Sequence, residues 1–114
     1  MSMLNELASR HCMPLRGPEH RLPADTMHGY LNALPGWRSI ENGQAINKTF
    51  NFENYYQTMA FVNAVAWLAH RADHHPDLEV GYNKCKVRYS THSVGGISES
   101  DFICAAQVES LGAK

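Results

Sequence analysis

Histidines are the most unusual feature of this sequence, and they are concentrated in one part of it. The chain has seven, and four lie between positions 70 and 92. Three of these four fall in two short runs, Asp73-His74-His75-Pro76 and Ser90-Thr91-His92. Because imidazole titrates nearest neutral pH, a set of histidines can supply a general acid and a general base together. The pattern suggests acid–base chemistry, with Asp73 placed to orient or charge-balance one ring.

The predicted positions of these rings allow two interpretations, one catalytic and one structural. His74 and His75 fall at a predicted helix C-terminus, where the helix dipole favours a protonated ring by about 0.3–1 kcal/mol. His92 follows a predicted strand at the edge of a sheet. If that strand ends near the helix end, the three imidazoles face one cleft. The alternative is structural and is favoured by spacing alone: histidines before a proline can cap a helix by donating to its last carbonyls.

Other chemistries are weaker readings of the same residues. His70 and His74 are four residues apart, as a zinc pair on a helix requires, with His92 or a carboxylate as a third ligand. The H-E-x-x-H pattern is absent, however, and so is any C-x-x-C pair. Cys85 and Cys104 are predicted to be packed thiols rather than nucleophiles.

The elements that must position these residues follow from periodicity and from turn residues. A helix is predicted from Pro23 to Leu34, and Asn42-Gly43 predicts a hairpin between strands at 37–40 and 45–52. Residues 53–73 form the longest periodic segment, a core helix. Its predicted wide apolar face consists of Tyr55, Met59, Val62, Ala66 and Ala69, flanked by Tyr56, Phe61, Val65 and Leu68. Strands at 78–82 and 84–90 precede a last helix that is capped at Ser98, with Asp101 in the capping-box position.

The fold predicted from this order is α+β: a single α-β-β-α-β-β-α domain, with a four-stranded antiparallel sheet and helices packed on one face. Residues 1–22 are expected to form a loosely ordered N-terminal arm with a short helix over 4–10, and residues 23–114 to form the domain. Lys48 shares the inner strand face with apolar residues, so it must reach the rim or pair there.

Composition excludes several classes of protein. The 114 residues include 10 Lys+Arg and 11 Asp+Glu, for a formal net charge of −1. That balance lacks the basic footprint of most nucleic-acid and anionic-membrane binders. No apolar run approaches the length of a membrane span, and the first residues lack the apolar stretch of a secretory signal. The three cysteines argue against a disulfide framework, so a cytoplasmic location is expected.

Several motifs together resemble the pterin-4a-carbinolamine dehydratases. The resemblance covers roughly residues 23–111, in the order and spacing of that family. The matching motifs are Leu34-Pro35-Gly36-Trp37, Phe50-x-Phe52, Asp73-His74-His75-Pro76, Tyr82-Asn83-Lys84, Ser90-Thr91-His92 and Gly96-Ile97-Ser98-x-x-Asp101. The resemblance implies the same fold. It also implies removal of water from a 4a-hydroxytetrahydropterin to give a quinonoid dihydropterin, in tetrahydrobiopterin recycling.

The resemblance also implies roles for individual residues. His74, His75 and His92 would carry the acid–base work, with no redox cofactor or metal required. The substrate-binding positions would be Asp73, Ser90, Thr91 and Ser93. Asp101 would be a supporting carboxylate. Which histidine is the acid and which is the base does not follow from the sequence.

Two departures from the family bear on affinity more than on activity. Members often carry Glu where this chain has His70, which adds a fourth titratable ring nearby. They often carry Trp where this chain has Leu78, so one wall of the pterin pocket is expected to be looser. The resemblance further implies a homodimer or homotetramer. Because some members bind a transcription factor, a non-catalytic or dual-function dimerisation module with a protein partner is the alternative function.

Overall fold

The structure is a computed structural model that describes residues 3–12 and 14–112. Its helices are α1 (Met3–Ser9), α2 (Ala24–Ala33), α3 (Tyr55–Ala72) and α4 (Glu99–Glu109). Its strands are β1 (Arg38–Ile40), β2 (Ala45–Asn51), β3 (Asp77–Val80) and β4 (Lys84–Tyr89). Short 3₁₀ helices lie at Pro18–His20 and His92–Val94. The predicted element order is confirmed, and α1 precedes it. None of the helices described is long and apolar enough to cross a membrane.

The four strands form one antiparallel sheet in the order β1-β2-β4-β3. Alternation along β4 buries Cys85, Val87 and Tyr89, while the residues between them face solvent or are half-buried. Ile46 and Phe50 of β2 pair in register with Tyr89 and Cys85, which gives the inner face its apolar centre. The helices cover this face, so the α+β fold with an open antiparallel sheet is confirmed.

The hairpin between β1 and β2 uses more left-handed residues than the sequence predicted. Asn42 and Gly43 have positive φ angles, as expected for this dipeptide, but Glu41 does too, at 54°. The Glu41 carboxylate accepts two hydrogen bonds from the Arg88 guanidinium, at 2.6 and 2.9 Å. These two hydrogen bonds link the hairpin to β4 and fix the side chain of Glu41, a residue whose backbone is in the left-handed region.

The buried side of α3 keeps three flanking residues of the predicted apolar face and adds Thr58. The buried side chains are Thr58, Phe61, Val65, Leu68 and Ala72, whereas Tyr55 and Ala66, which the prediction placed on that face, are exposed. The Thr58 hydroxyl lies 2.9 Å from the Asn54 carbonyl and 3.0 Å from the Tyr82 carbonyl. Because these carbonyls satisfy the hydroxyl, a polar side chain can occupy the core line, and counting only apolar residues misses it.

Several residues of the N-terminal segment pack against the rest of the chain. Leu7 is fully buried and Cys12 is 5% exposed. Further along, the Leu22 N–H donates to the Ile97 carbonyl at 2.9 Å. Helix α4 is buried almost all round, and α1 packs against it. The loosely ordered arm and the domain boundary at residue 22 stay predictions.

Lys48 pairs at the rim of the core, as its position on the inner strand face predicted. Its ammonium donates to the Pro35 carbonyl at 2.8 Å and to the Glu109 carboxylate of α4. Glu109 also accepts a hydrogen bond from the Trp37 indole N–H, at 3.0 Å. This cluster joins β2 to the C-terminal end of α4.

Candidate functional site

The end of α3 sets the directions of the two adjacent histidines. The helix ends at Ala72, and Asp73 adopts a left-handed conformation with φ 52°. The backbone N–H groups of Asp73 and His74 then donate to the carbonyls of His70 and Ala69, at 3.3 and 3.2 Å. Because backbone groups close this helix end, the capping role considered for the imidazoles is not what the structure shows. His74 is half-buried, whereas His75 is exposed.

A buried carboxylate on α4 fixes His74. The His74 Nε2 lies 2.6 Å from Oδ1 of Asp101, whose side chain is fully buried. The other oxygen of Asp101 accepts from the Thr91 hydroxyl at 2.7 Å and from the Ser98 backbone N–H at 2.9 Å. The bond from Ser98 N–H is the one that the predicted capping box requires. One carboxylate therefore caps α4, anchors Thr91 and orients His74.

This contact also controls the charge of His74. Burial of the ring lowers the pKa of His74, but the hydrogen bond to Asp101 and the negative charge of its carboxylate outweigh that effect. The pKa of His74 is therefore raised above its ordinary value, which favours the imidazolium. The ring stacks on Tyr89, with centroids 5.7 Å apart. Burial raises the pKa of the Tyr89 hydroxyl, so Tyr89 is a neutral surface against the imidazolium.

All three predicted catalytic histidines line one cleft of about 600 Å³. The four predicted binding residues line it as well: Asp73, Ser90, Thr91 and Ser93. Asp101 lies beneath the cleft rather than in its wall, since its side chain is fully buried. The structure thus brings together the two histidine runs, which are separated in the sequence by β3 and β4.

Two parts of the cleft wall were missed by sequence reasoning. Residues 14–16 form one part, because the Ser93 hydroxyl donates to the Leu15 carbonyl at 2.9 Å and the Gly17 N–H donates to the Ser93 carbonyl at 3.2 Å. Arg88 is the other part, with Asp77 accepting from its guanidinium at 3.0 Å. Alternation along β4 placed Arg88 on the wet face, but nothing in the sequence pointed to residues 14–16.

A second hollow, of about 700 Å³, lies against the first half of α3 and is lined by apolar side chains such as Phe52, Phe61 and Leu111. It contains no histidine, so we place the chemistry in the smaller cleft. The zinc reading finds no support in the geometry: among the residues described, no three His, Cys, Asp or Glu side chains are grouped to hold a metal ion. His74 Nε2, moreover, faces Asp101.

Comparisons with known proteins agree with one another. Residues 20–111 match the model of a family described as pterin 4 alpha carbinolamine dehydratase. The chain is 53% identical over 111 residues to a Stenotrophomonas maltophilia protein named "Putative pterin-4-alpha-carbinolamine dehydratase", covering 97% of this chain and 96% of that protein. A Nitrosospira multiformis protein of the same name is 52% identical over 108 residues, covering 95% of this chain and 94% of that protein.

Two solved structures share the fold. A Brucella melitensis protein described as a transcriptional coactivator/pterin dehydratase has a TM-score of 0.77 and 32% identity, covering 80% of this chain and 97% of its own. A pterin dehydratase-like protein identified as a RuBisCO assembly factor in the alpha-carboxysome has a TM-score of 0.59 and 28% identity, covering 69% of this chain and 93% of its own.

Proposed function

Because this chain belongs to the pterin-4a-carbinolamine dehydratase family, we propose that it dehydrates a 4a-hydroxytetrahydropterin to a quinonoid dihydropterin in its histidine-lined cleft. The observation that carries the proposal is the convergence of His74, His75 and His92 on one cleft. The physiological setting that we propose is tetrahydrobiopterin recycling in the cytoplasm.

The reaction needs two proton transfers. The 4a-hydroxyl must gain a proton to leave as water, and N5 must lose its proton as the new double bond forms. A group that gives one proton and a group that takes the other must therefore both reach the bound pterin. The proposal needs no redox change, because the substrate loses only water.

We assign the three histidines by their surroundings. His75 and His92 are exposed in the cleft, so their rings can exchange protons with the substrate. His74 is hydrogen-bonded to Asp101, which raises the pKa of His74 and favours its imidazolium form. In this assignment His74 contributes positive charge that stabilises the departing oxygen, while the two exposed rings share the proton transfers. Asp73, Ser90, Thr91 and Ser93 would hold the pterin ring.

The test is the rate of 4a-hydroxytetrahydropterin dehydration by the wild type and by His75→Ala and His92→Ala. We expect acceleration by the wild type, with losses of about 10²–10⁴-fold in the folded variants. His28→Ala is the matched control, because His28 is exposed on α2 and does not line the cleft. Wild-type protein that leaves the spontaneous rate unchanged would refute the dehydratase proposal.

A second function, as a dimerisation or coactivator module, is favoured by one surface. Tyr55, Tyr56 and Trp67 of α3 are exposed, and Tyr56 reaches 82%. Oligomerisation to a homodimer or homotetramer, or binding of a protein partner, would cover such side chains. The solution mass of the wild type against Tyr56→Ser and Trp67→Ser tests this. A monomeric wild type would contradict the homo-oligomer, and an active monomer would favour catalysis alone.

A further inference from the structure

Two cysteines that are distant in the sequence meet in the core. The Sγ atoms of Cys12 and Cys104 are 2.8 Å apart, although 92 positions separate the residues. Cys12 follows α1 and Cys104 lies on α4, and both side chains are buried. The sequence offered no pairing signal, because the spacing fits no motif. A disulfide bond needs about 2.05 Å between sulfurs, so a small movement would join them.

Hydrogen bonds give the two thiols different characters. The Cys12 sulfur lies 3.6 Å from the Ser100 carbonyl as well as 2.8 Å from the Cys104 sulfur. The hydrogen bond from the Cys104 thiol lowers the pKa of Cys12 against the effect of burial, and the His74 imidazolium adds to this. The same pairing, together with burial, raises the pKa of Cys104. Cys12 is thus the sulfur with more thiolate character, and the thiolate is the reactive form.

Cys12 also has a route to solvent. A surface hollow of about 410 Å³ is lined by Cys12 together with Arg10, His11, Arg71 and Gln107. Cys104 does not line this hollow. A small oxidant entering it would therefore meet Cys12 first, with Cys104 directly behind it.

We propose that Cys12 and Cys104 form a reversible disulfide in the presence of a peroxide, with Cys12 as the sulfur that is oxidised and Cys104 as the sulfur that resolves it. The Cys12 thiolate attacks hydrogen peroxide, the O–O bond breaks, and Cys12 becomes a sulfenic acid as hydroxide leaves and takes up a proton. The Cys104 sulfur then attacks Cys12 Sγ, loses its proton and displaces a second water. Two thiols and one peroxide give one disulfide and two waters, and a thiol reductant reverses the step.

The bond would fasten the N-terminal segment to α4. Residues 14–16, which line the histidine cleft, begin two positions after Cys12. Oxidation would therefore anchor that part of the cleft wall, whereas the reduced protein holds it through packing and the Ser93 hydrogen bonds. Closing a loop of this length restricts the unfolded chain strongly, so the oxidised form should melt at a temperature roughly 20 °C higher.

The experiment treats the purified chain with hydrogen peroxide and follows intact mass, free thiols and melting temperature. We expect a loss of about 2 Da and of two thiols, a Cys12–Cys104 linked peptide in a non-reducing digest, and reversal by dithiothreitol. Cys85→Ser is the matched control and should behave as the wild type, because Cys85 is buried within the sheet. Cys12→Ser and Cys104→Ser should lose both the mass change and the thermal shift.

Some outcomes would overturn the proposal without touching the proposed dehydratase activity. One is wild-type Cys12 that gains two or three oxygen atoms while Cys104 stays reduced. Another is a disulfide that involves Cys85 or links two chains. Wild type that keeps all three thiols at a peroxide concentration that oxidises free cysteine would also overturn it. Because these measurements are made on the wild-type chain, they test the proposal even if a cysteine variant fails to fold.

Discussion

Replacing Asp101 with Asn tests the contact that holds the site together. In the structure this carboxylate accepts hydrogen bonds from His74, Thr91 and the Ser98 backbone, and its side chain is fully buried. An amide can keep one acceptor but turns its NH₂ toward groups that also donate. Each hydrogen bond to a charged group contributes about 1.5–3 kcal/mol, and removing one partner of a buried ion pair costs about 3–5 kcal/mol, which is the loss that we expect. We expect the melting temperature to fall by roughly 12–20 °C.

The pH dependence of the stability loss separates the contribution of the His74–Asp101 pair from that of the other hydrogen bonds to Asp101. The pKa of His74 is raised in the folded protein, so the stability from its pair with Asp101 is fully present below the unfolded pKa of about 6.5. That stability is lost as the pH rises through the folded pKa. The bonds from Thr91 and Ser98 do not involve His74. The difference between wild type and Asp101→Asn should therefore narrow as the pH rises above about 6.5, and then level off above zero.

The assay is urea unfolding of both proteins between about pH 5.5 and 9. Asp25→Asn is the control, because Asp25 is an exposed residue in the first turn of α2, where its loss should cost no more than about 1 kcal/mol. A wild-type advantage that stays constant across this range would refute the ionic pair between His74 and Asp101. An advantage below about 1 kcal/mol at pH 6 would refute the whole cluster as a source of stability.

The remaining predictions concern the rim of the core and the turns. Glu109→Gln should lower the free energy of unfolding in urea by about 2–4 kcal/mol. The substitution leaves the largely buried Lys48 ammonium without its carboxylate and weakens the acceptor for the Trp37 indole N–H. A loss below about 1 kcal/mol would show that the Lys48–Glu109 pair is solvated. Gly36→Ala should destabilise more than Gly43→Ala, although both have positive φ, at 84° and 81°. A Cβ at Gly36 would lie 2.9 Å from the Lys48 side chain, which its hydrogen bonds hold in place, whereas nothing lies within 4 Å of a Cβ at Gly43. We expect the free energy of unfolding to fall by about 2–3 kcal/mol for Gly36→Ala and by about 1 kcal/mol for Gly43→Ala. Equal losses would contradict the steric argument.

Much of the fold was accessible from the sequence because local rules decide it. Asn42-Gly43 marked the hairpin, alternation along β4 marked its buried face, and Ser98 with Asp101 marked the start of α4. Each of these signals acts over a few residues. The burial of Thr58 on α3 was not accessible in this way, because its hydroxyl donates to the Tyr82 carbonyl, 24 positions away along the chain.

In the candidate site, too, the features set by local sequence could be predicted and those set by tertiary packing could not. The histidine runs were identified from residue type, and their meeting in one cleft agrees with the predicted order of elements. The resemblance gave Asp101 only the role of a supporting carboxylate, and its pairing with His74 was not predicted, because 27 positions separate them. The wall at residues 14–16 depends on hydrogen bonds to Ser93, 78 positions away from Leu15. Pairings over such distances come from tertiary packing, for which a single sequence has no periodic signal.

The cleft is assembled from three stretches of chain, at 14–16, 73–77 and 88–93, and these differ in how firmly they are held. The last two are anchored by the helix and sheet of the main core. The first depends on the short helix α1 and on a few hydrogen bonds, so we expect it to open locally at a lower cost than the other two. Detachment of this segment would remove one wall while the sheet keeps its protected amides. On heating, turnover should therefore decline before the circular dichroism of the sheet does, and amides of residues 15–17 should exchange with solvent faster than those of β4.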